Sequence, residues 1–135
     1  MNINQPLILT PFRKALQSLK HALAQPKNEF TRDAAIQRFE YSFELAWKIL
    51  KRHLAIETGM EEFNIKNLFR EAGRQNLIAD VPQWFIYHKA RNLTSHTYNE
   101  IIAEETFRAA QQFISDAEKL LHKLEELHGH TINSQ

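Results

Sequence analysis

The sequence predicts an all-α protein, an antiparallel up-and-down four-helix bundle with one additional short helix. Three observations carry that prediction. Apolar residues recur at steps of three and four along most of the chain. No run alternates apolar and polar residues for long enough to read as a strand. The 3 glycines and 4 prolines are too few for the many tight turns of a sandwich or barrel. Long amphipathic helices on short connections make antiparallel neighbours. The 135 residues are expected to form a single helical bundle domain over 1–135, with an irregular lead-in at 1–9 and a flexible tail at 129–135.

The elements follow in order. Thr10 then Pro11 reads as an N-cap and a first helical residue, because the hydroxyl can accept from an orphan N–H and proline has none to leave unpaired. Phe12, Leu16, Leu19 and Leu23 form the first apolar stripe, and Pro26 lies past its end. The second helix spans about Glu29 to Glu57 on the stripe Ile36, Phe39, Phe43, Trp47, Leu50 and Leu54, and Thr58-Gly59 stops it. Gln37, Tyr41, Glu44, Lys48 and Lys51 make a wetter stripe, with Glu44 and Lys48 in the favourable i,i+4 order. Asn64 caps a short helix bearing Ile65, Leu68 and Phe69, closed by Gly73. Asp80-Val81-Pro82 opens a fourth helix, and a fifth runs from about Asn99 to Leu127 on Ile102, Thr106, Ala109, Phe113, Ala117, Leu120, Leu124 and Leu127. Gly129 stops it.

Composition narrows the function. With no cysteine there is no disulfide, thiol nucleophile or thiolate zinc site. A formal charge of +1 argues against coating duplex DNA by bulk charge. No stretch reads as a signal peptide or approaches the roughly 20 apolar residues of a membrane span, so a soluble, cytoplasmic protein without membrane contact is expected. There is no glycine-rich phosphate loop and no dinucleotide fingerprint, hence no expected cofactor. His122, His128 and His130 have no carboxylate pattern to fix a metal geometry, and no metal site is expected.

Residues 84–98 concentrate the chemistry. On one helix, Trp84, His88, Arg91 and Ser95 share a side, with Ile86, Ala90, Leu93 and Thr97 nearly opposite. The expectation is that the aliphatic side is buried in the bundle and the other faces a cleft or a subunit interface. Arg91 and His96 are five apart, which on an unbroken helix is about 140° in projection. They converge only if the helix unwinds near Ser95 or a second subunit completes the site. The weak helix formers Thr94, Ser95, His96 and Thr97 favour such an end. By residue type alone, an arginine and a histidine on a helix fit an ordinary satisfied polar pair. They also fit metal-free RNA cleavage: histidine takes the ribose 2′-OH proton, and arginine stabilises charge on the phosphate. Asn92, Thr94 and Ser95 are candidate phosphate contacts, His88 a candidate second contact or a hydrogen-bonded interface residue, and Tyr98 a stacking or donor group. Glu40 and Glu44 are candidates to orient His96 or Arg91, and Trp47 and Trp84 read as packing residues.

The octapeptide Arg91-Asn92-Leu93-Thr94-Ser95-His96-Thr97-Tyr98 resembles the Arg-x4-His-x-Tyr signature of HepT-type proteins in the HEPN superfamily, also called nucleotidyltransferase substrate-binding proteins. The blocks Ile36 to Lys48 and Asn67 to Ala72 agree with it, and the resemblance covers roughly residues 10–127. It implies a four-helix bundle that forms a homodimer and pairs with a minimal nucleotidyltransferase of the polymerase-β type. Two activities follow from it. One is a metal-independent ribonuclease toxin with Arg91 and His96 catalytic, silenced when the partner transfers AMP to Tyr98. The other is a non-catalytic substrate-binding subunit of a two-chain nucleotidyltransferase. A dimeric helical adaptor without chemistry is the remaining reading.

Overall fold

The computed structural model describes residues 7–60 and 62–129. It is all-helical: α1 (Thr10–Leu23), α2 (Glu29–Thr58), α3 (Ile65–Arg74), α4 (Val81–Asn92), a 3-10 turn over Thr94–His96, and α5 (Glu100–His128). Polar pairs between helices define the topology. Arg13 binds Glu125 and Lys20 binds Glu118, so α1 and α5 run antiparallel. Arg32 at the start of α2 binds Glu100 and Glu104 at the start of α5, while His53 and His128 meet at their far ends, so that diagonal pair is parallel. Gln83 reaches Gln112, while Ile86 and Leu93 share a groove with Glu105 and Ala109, which sets α4 antiparallel to α5. This is the up-and-down bundle of α1, α2, α4 and α5, with α3 as the short additional helix.

Local chemistry accounts for most helix ends. Asn28 caps α2 in a capping box, accepting from the Thr31 amide while the Thr31 hydroxyl accepts from the Asn28 amide. Asn64, Asp80 and Asn99 cap α3, α4 and α5 in the same sense. Gly59 ends α2 at φ 77°, the left-handed conformation that glycine tolerates. The expected boundaries of α2 and α5 agree with the structure to within a residue.

Three expectations are corrected. Thr10 is the first residue of α1 and Leu9 holds the cap position without a side-chain bond. The reason is burial: Leu7 and Leu9 are in the core, so part of the lead-in is packed and sets how the chain enters α1. Gly73 does not close α3, which continues to Arg74 and hands over through Gln75 and the left-handed Asn76. A Cβ at position 73 would run into the Val81 side chain, so this glycine lets α3 and the start of α4 approach closely. Residues 1–6 of the lead-in and 130–135 of the tail, with His130, lie outside the described residues.

The third correction concerns α4. Trp84 is 1% exposed and Tyr87 and Ala90 are buried, whereas Ile86 is 54% exposed. The aromatic side of α4 faces the bundle and part of the aliphatic side faces out. Trp84 packs against Phe43, Phe69 and Phe113, with centroids 6.3, 5.8 and 5.7 Å away. Rings contributed by α2, α3 and α5 make a large apolar seat. A Trp and a Tyr remove more apolar area from water there than Ile86 and Leu93 would. The packing role expected for Trp84 is what the structure shows.

Candidate functional site

The site begins where α4 ends. Leu93 takes the C-cap position, and the chain tightens into the 3-10 turn. The Thr94 hydroxyl lies 2.8 Å from the Arg91 carbonyl and 3.1 Å from Glu40 Oε2, so its one proton is shared between a carbonyl freed by the break and a carboxylate on α2. The Thr97 hydroxyl donates to the Thr94 carbonyl at 3.2 Å. Asn99 then caps α5, and the nearly buried Arg32 fastens its first turn through Glu100 at 2.5 Å and Glu104 at 3.0 Å. The helix therefore breaks before Ser95, as the weak formers predict, and both sides of the break are anchored.

Arg91 is half-buried. Its Nη2 lies 2.5 Å from Glu44 Oε1, and the indole Nε1 of Trp47 donates to Glu44 Oε2 at 3.2 Å. Arg91 Nε is buried without a hydrogen-bond partner. His88, one turn earlier, lies against Phe43 with ring centroids 6.1 Å apart and planes inclined 34°. Burial, with the Arg91 charge adding, pushes His88 below the usual histidine value, and Glu44 opposes that.

His96 and Tyr98 stand together on the exposed side of the turn. Nδ1 of His96 is 3.4 Å from the Tyr98 hydroxyl, and Tyr98 is 85% exposed. In the tautomer that carries its proton on Nδ1, Nε2 is the ring nitrogen with the lone pair. Asn92 and Ser95 are exposed as well. Among the described residues no hydrogen bond or ion pair joins Arg91 to His96; the arginine is held by α2 and the histidine by the tyrosine. Of the two glutamates, Glu44 pairs with Arg91 and Glu40 lies within hydrogen-bond distance of the Thr94 hydroxyl. The part played by Trp47 had no signal beyond its position three residues after Glu44.

Among the described residues no group of three or more His, Cys, Asp or Glu could hold a metal ion. His128 is engaged by His53, and no described helix is long and apolar enough to cross a membrane.

The described residues define an all-helical bundle whose fourth helix ends in a 3-10 turn. The chain belongs to the nucleotidyltransferase substrate binding protein like family, whose model matches residues 7–126. It is 38% identical over 96 residues to a probable ribonuclease HepT of Haemophilus influenzae, covering 68% of this chain and 66% of that protein. Two solved structures share the fold. A Thermus thermophilus protein is 36% identical with a TM-score of 0.77, covering 84% of this chain and 98% of its own. A Haemophilus influenzae protein, described as revealing the fold of a substrate binding domain of a nucleotidyltransferase, is 32% identical with a TM-score of 0.79, covering 87% and 98%.

Proposed function

We propose that this chain is a metal-independent ribonuclease, the toxin of a toxin–antitoxin pair, silenced by a cognate minimal nucleotidyltransferase that transfers AMP to Tyr98. The observation that carries the reading is the exposed His96–Tyr98 pair, on the turn that follows Arg91 directly. His96 Nε2 accepts the ribose 2′-OH proton, and the 2′-oxygen attacks the adjacent phosphorus. The P–O5′ bond breaks, and the 5′-oxygen leaves with a proton from water. Arg91 stabilises the added charge on the phosphoryl oxygens. Asn92, Thr94 and Ser95 serve as further phosphate contacts, and His88 backs Arg91. AMP on Tyr98 puts negative charge and bulk beside His96, where the RNA phosphate has to sit.

The homodimer belongs to the same reading. An open groove of about 220 Å³ between α4 and α5, lined by Ile86, Ala90, Leu93, Thr106 and Ala109 with Lys89 and Glu105 at its rim, supports it. Pairing across that face lets a second copy bring its own turn toward the first. The compartment of this reading is the cytoplasm.

The second reading is a non-catalytic substrate-binding subunit of a two-chain nucleotidyltransferase. Favouring it, the Arg91 charge is already met by Glu44, and a net charge of +1 draws RNA weakly from a distance. The deciding experiment is RNA cleavage by the purified, unmodified protein in EDTA, beside His96→Ala. The ribonuclease reading expects cleavage that disappears with His96. Equal, background-level cleavage by both proteins across several RNAs assigns the chain to the substrate-binding role.

A further inference from the structure

Arg91 is the next-to-last residue of α4, where the backbone hydrogen bonding of the helix runs out. A long side chain in such a place has many rotamers open to it, and a guanidinium recognises a phosphate only in a fixed orientation. The anchor is on another helix. Glu44 lies mid-way along the 30-residue α2, and both of its oxygens are used: Oε1 on Arg91 Nη2 at 2.5 Å, Oε2 on the Trp47 indole at 3.2 Å. Trp47 packs against the core three residues further along α2, so the carboxylate is aimed from its own helix before it meets the arginine. The contact on Arg91 is single-pronged: one terminal nitrogen is held, and Nε is buried with no partner.

We propose that Glu44 is the positioning residue for Arg91, setting the direction from which the guanidinium meets an anionic ligand. This rests on the reading of Arg91 as the phosphate-binding group. Two opposite effects are open to a carboxylate in this place. It fixes the guanidinium, which helps binding and turnover, and it offsets the positive charge, which weakens attraction to phosphate. Geometry favours the first. The pair is half-buried at both ends, the indole N–H already draws on the Glu44 charge, and Glu40 one turn earlier holds Thr94, so α2 grips both sides of the break. A carboxylate acting only as a competitor for Arg91 would need no second donor fixing its plane.

The test uses the full chain with Glu44→Ala and the shape-conserving Glu44→Gln, each first shown to melt near the wild-type temperature. The first readout is the Nε–H signal of Arg91 in a nitrogen–proton correlation spectrum, assigned by its loss in Arg91→Lys. A resolved, slowly exchanging signal in the wild type that broadens or exchanges fast in Glu44→Ala, with partial recovery in Glu44→Gln, is the expected result. An unchanged signal overturns the proposal. The second readout is RNA cleavage, where kcat is expected to fall roughly tenfold in Glu44→Ala with KM changed by less than about twofold. A lower KM with undiminished kcat makes Glu44 a competitor and overturns it as well. If the wild type cleaves no RNA, the ribonuclease reading fails by itself, and the Nε signal alone decides the role of Glu44. If Glu44→Ala does not fold, Glu44→Gln carries both measurements.

Discussion

The imidazoles of His53 and His128 share a hydrogen bond of 2.8 Å between Nδ1 and Nε2, joining α2 near its C-terminal end to the last residue of α5. Their rings meet edge to face, with centroids 5.0 Å apart, and His53 is buried. One ring must donate and the other accept, so a proton added to the acceptor breaks the bond and places charge where water is scarce. Burial lowers His53, with the nearby His128 adding to it, and burial lowers His128; Glu57 is the carboxylate that pulls both the other way. A histidine held below its ordinary value of 6.5 contributes stability that is present above that value and is lost as pH falls through the folded-state values. The melting temperature should therefore drop as pH falls from neutral to mildly acid, through the range below that ordinary value. His128→Gln should flatten that slope. Thermal melts in matched buffers check it, and parallel profiles for the two proteins would remove the pair as the cause.

Gly73→Ala places a methyl group against Val81 at the junction of α3 and α4. Helix propensity alone favours alanine by roughly 0.5–1 kcal/mol. The clash is the larger effect, because overpacking a close contact costs about 1–3 kcal/mol. The net expectation is destabilisation, read as a lower urea midpoint with an unchanged slope. Val81→Ala in the same chain should relieve part of it, since the obstructing group is the valine side chain.

Tyr87 is fully buried among Trp84 and Phe113, and its hydroxyl donates to Asp116 on α5. Burial, with the Asp116 bond adding, raises its pKa, so the phenol remains a donor throughout the physiological range. Tyr87→Phe keeps the ring and loses the bond, leaving Asp116 without that donor. A loss of about 1–2 kcal/mol is expected from chemical denaturation.

What was legible in the sequence follows from which physics is local. Phe39, Phe43, Leu50 and Leu54 announce the buried face of α2 by spacing, and Asn64, Asp80 and Asn99 announce their caps by side-chain chemistry. The break after Asn92 was visible in the weak helix formers Thr94 to Thr97. The facing of α4 was not, because both of its sides carry apolar residues, and the choice depends on Phe43, Phe69 and Phe113 arriving from three other helices. Gly73 misled for the same reason: a close approach and a left-handed cap call for the same residue, and only the position of Val81 separates them. For Glu44, spacing placed it one turn from Glu40 but equally one turn from Lys48. The packing of α4 on α2 resolves that in favour of Arg91.

Tyr98 projects into solvent beside His96, so a modifying enzyme reaches it without unfolding the turn. Protein co-expressed with its active nucleotidyltransferase partner should carry AMP increments in intact mass, and Tyr98→Phe should carry none. The same variant should cleave RNA near the unmodified rate, because phenylalanine preserves the ring beside His96 and removes only a weak 3.4 Å contact. An adduct that persists in Tyr98→Phe would move the modification to another residue.

The groove between α4 and α5 makes the last prediction. Ile86, which lines the groove, is 54% exposed in the single chain, and Ile101, one turn before Glu105 on α5, is 70% exposed; the buried lining residues Ala90, Thr106 and Ala109 are small. Small residues let two helix pairs approach closely, and exposed isoleucines supply the apolar area that association requires. Ile86→Asp introduces a charge that a closed interface has to desolvate without a partner, at a cost of several kcal/mol. In the free chain the same aspartate stands in water, so the fold should be little affected. Light scattering after size exclusion should therefore find a dimer for the wild type and a monomer for Ile86→Asp, with similar helical circular dichroism. Because the proposed site gains from a second copy, RNA cleavage should fall with the dimer fraction as protein is diluted. A wild type that is monomeric at micromolar concentration, or an Ile86→Asp protein that still dimerises, places the interface elsewhere.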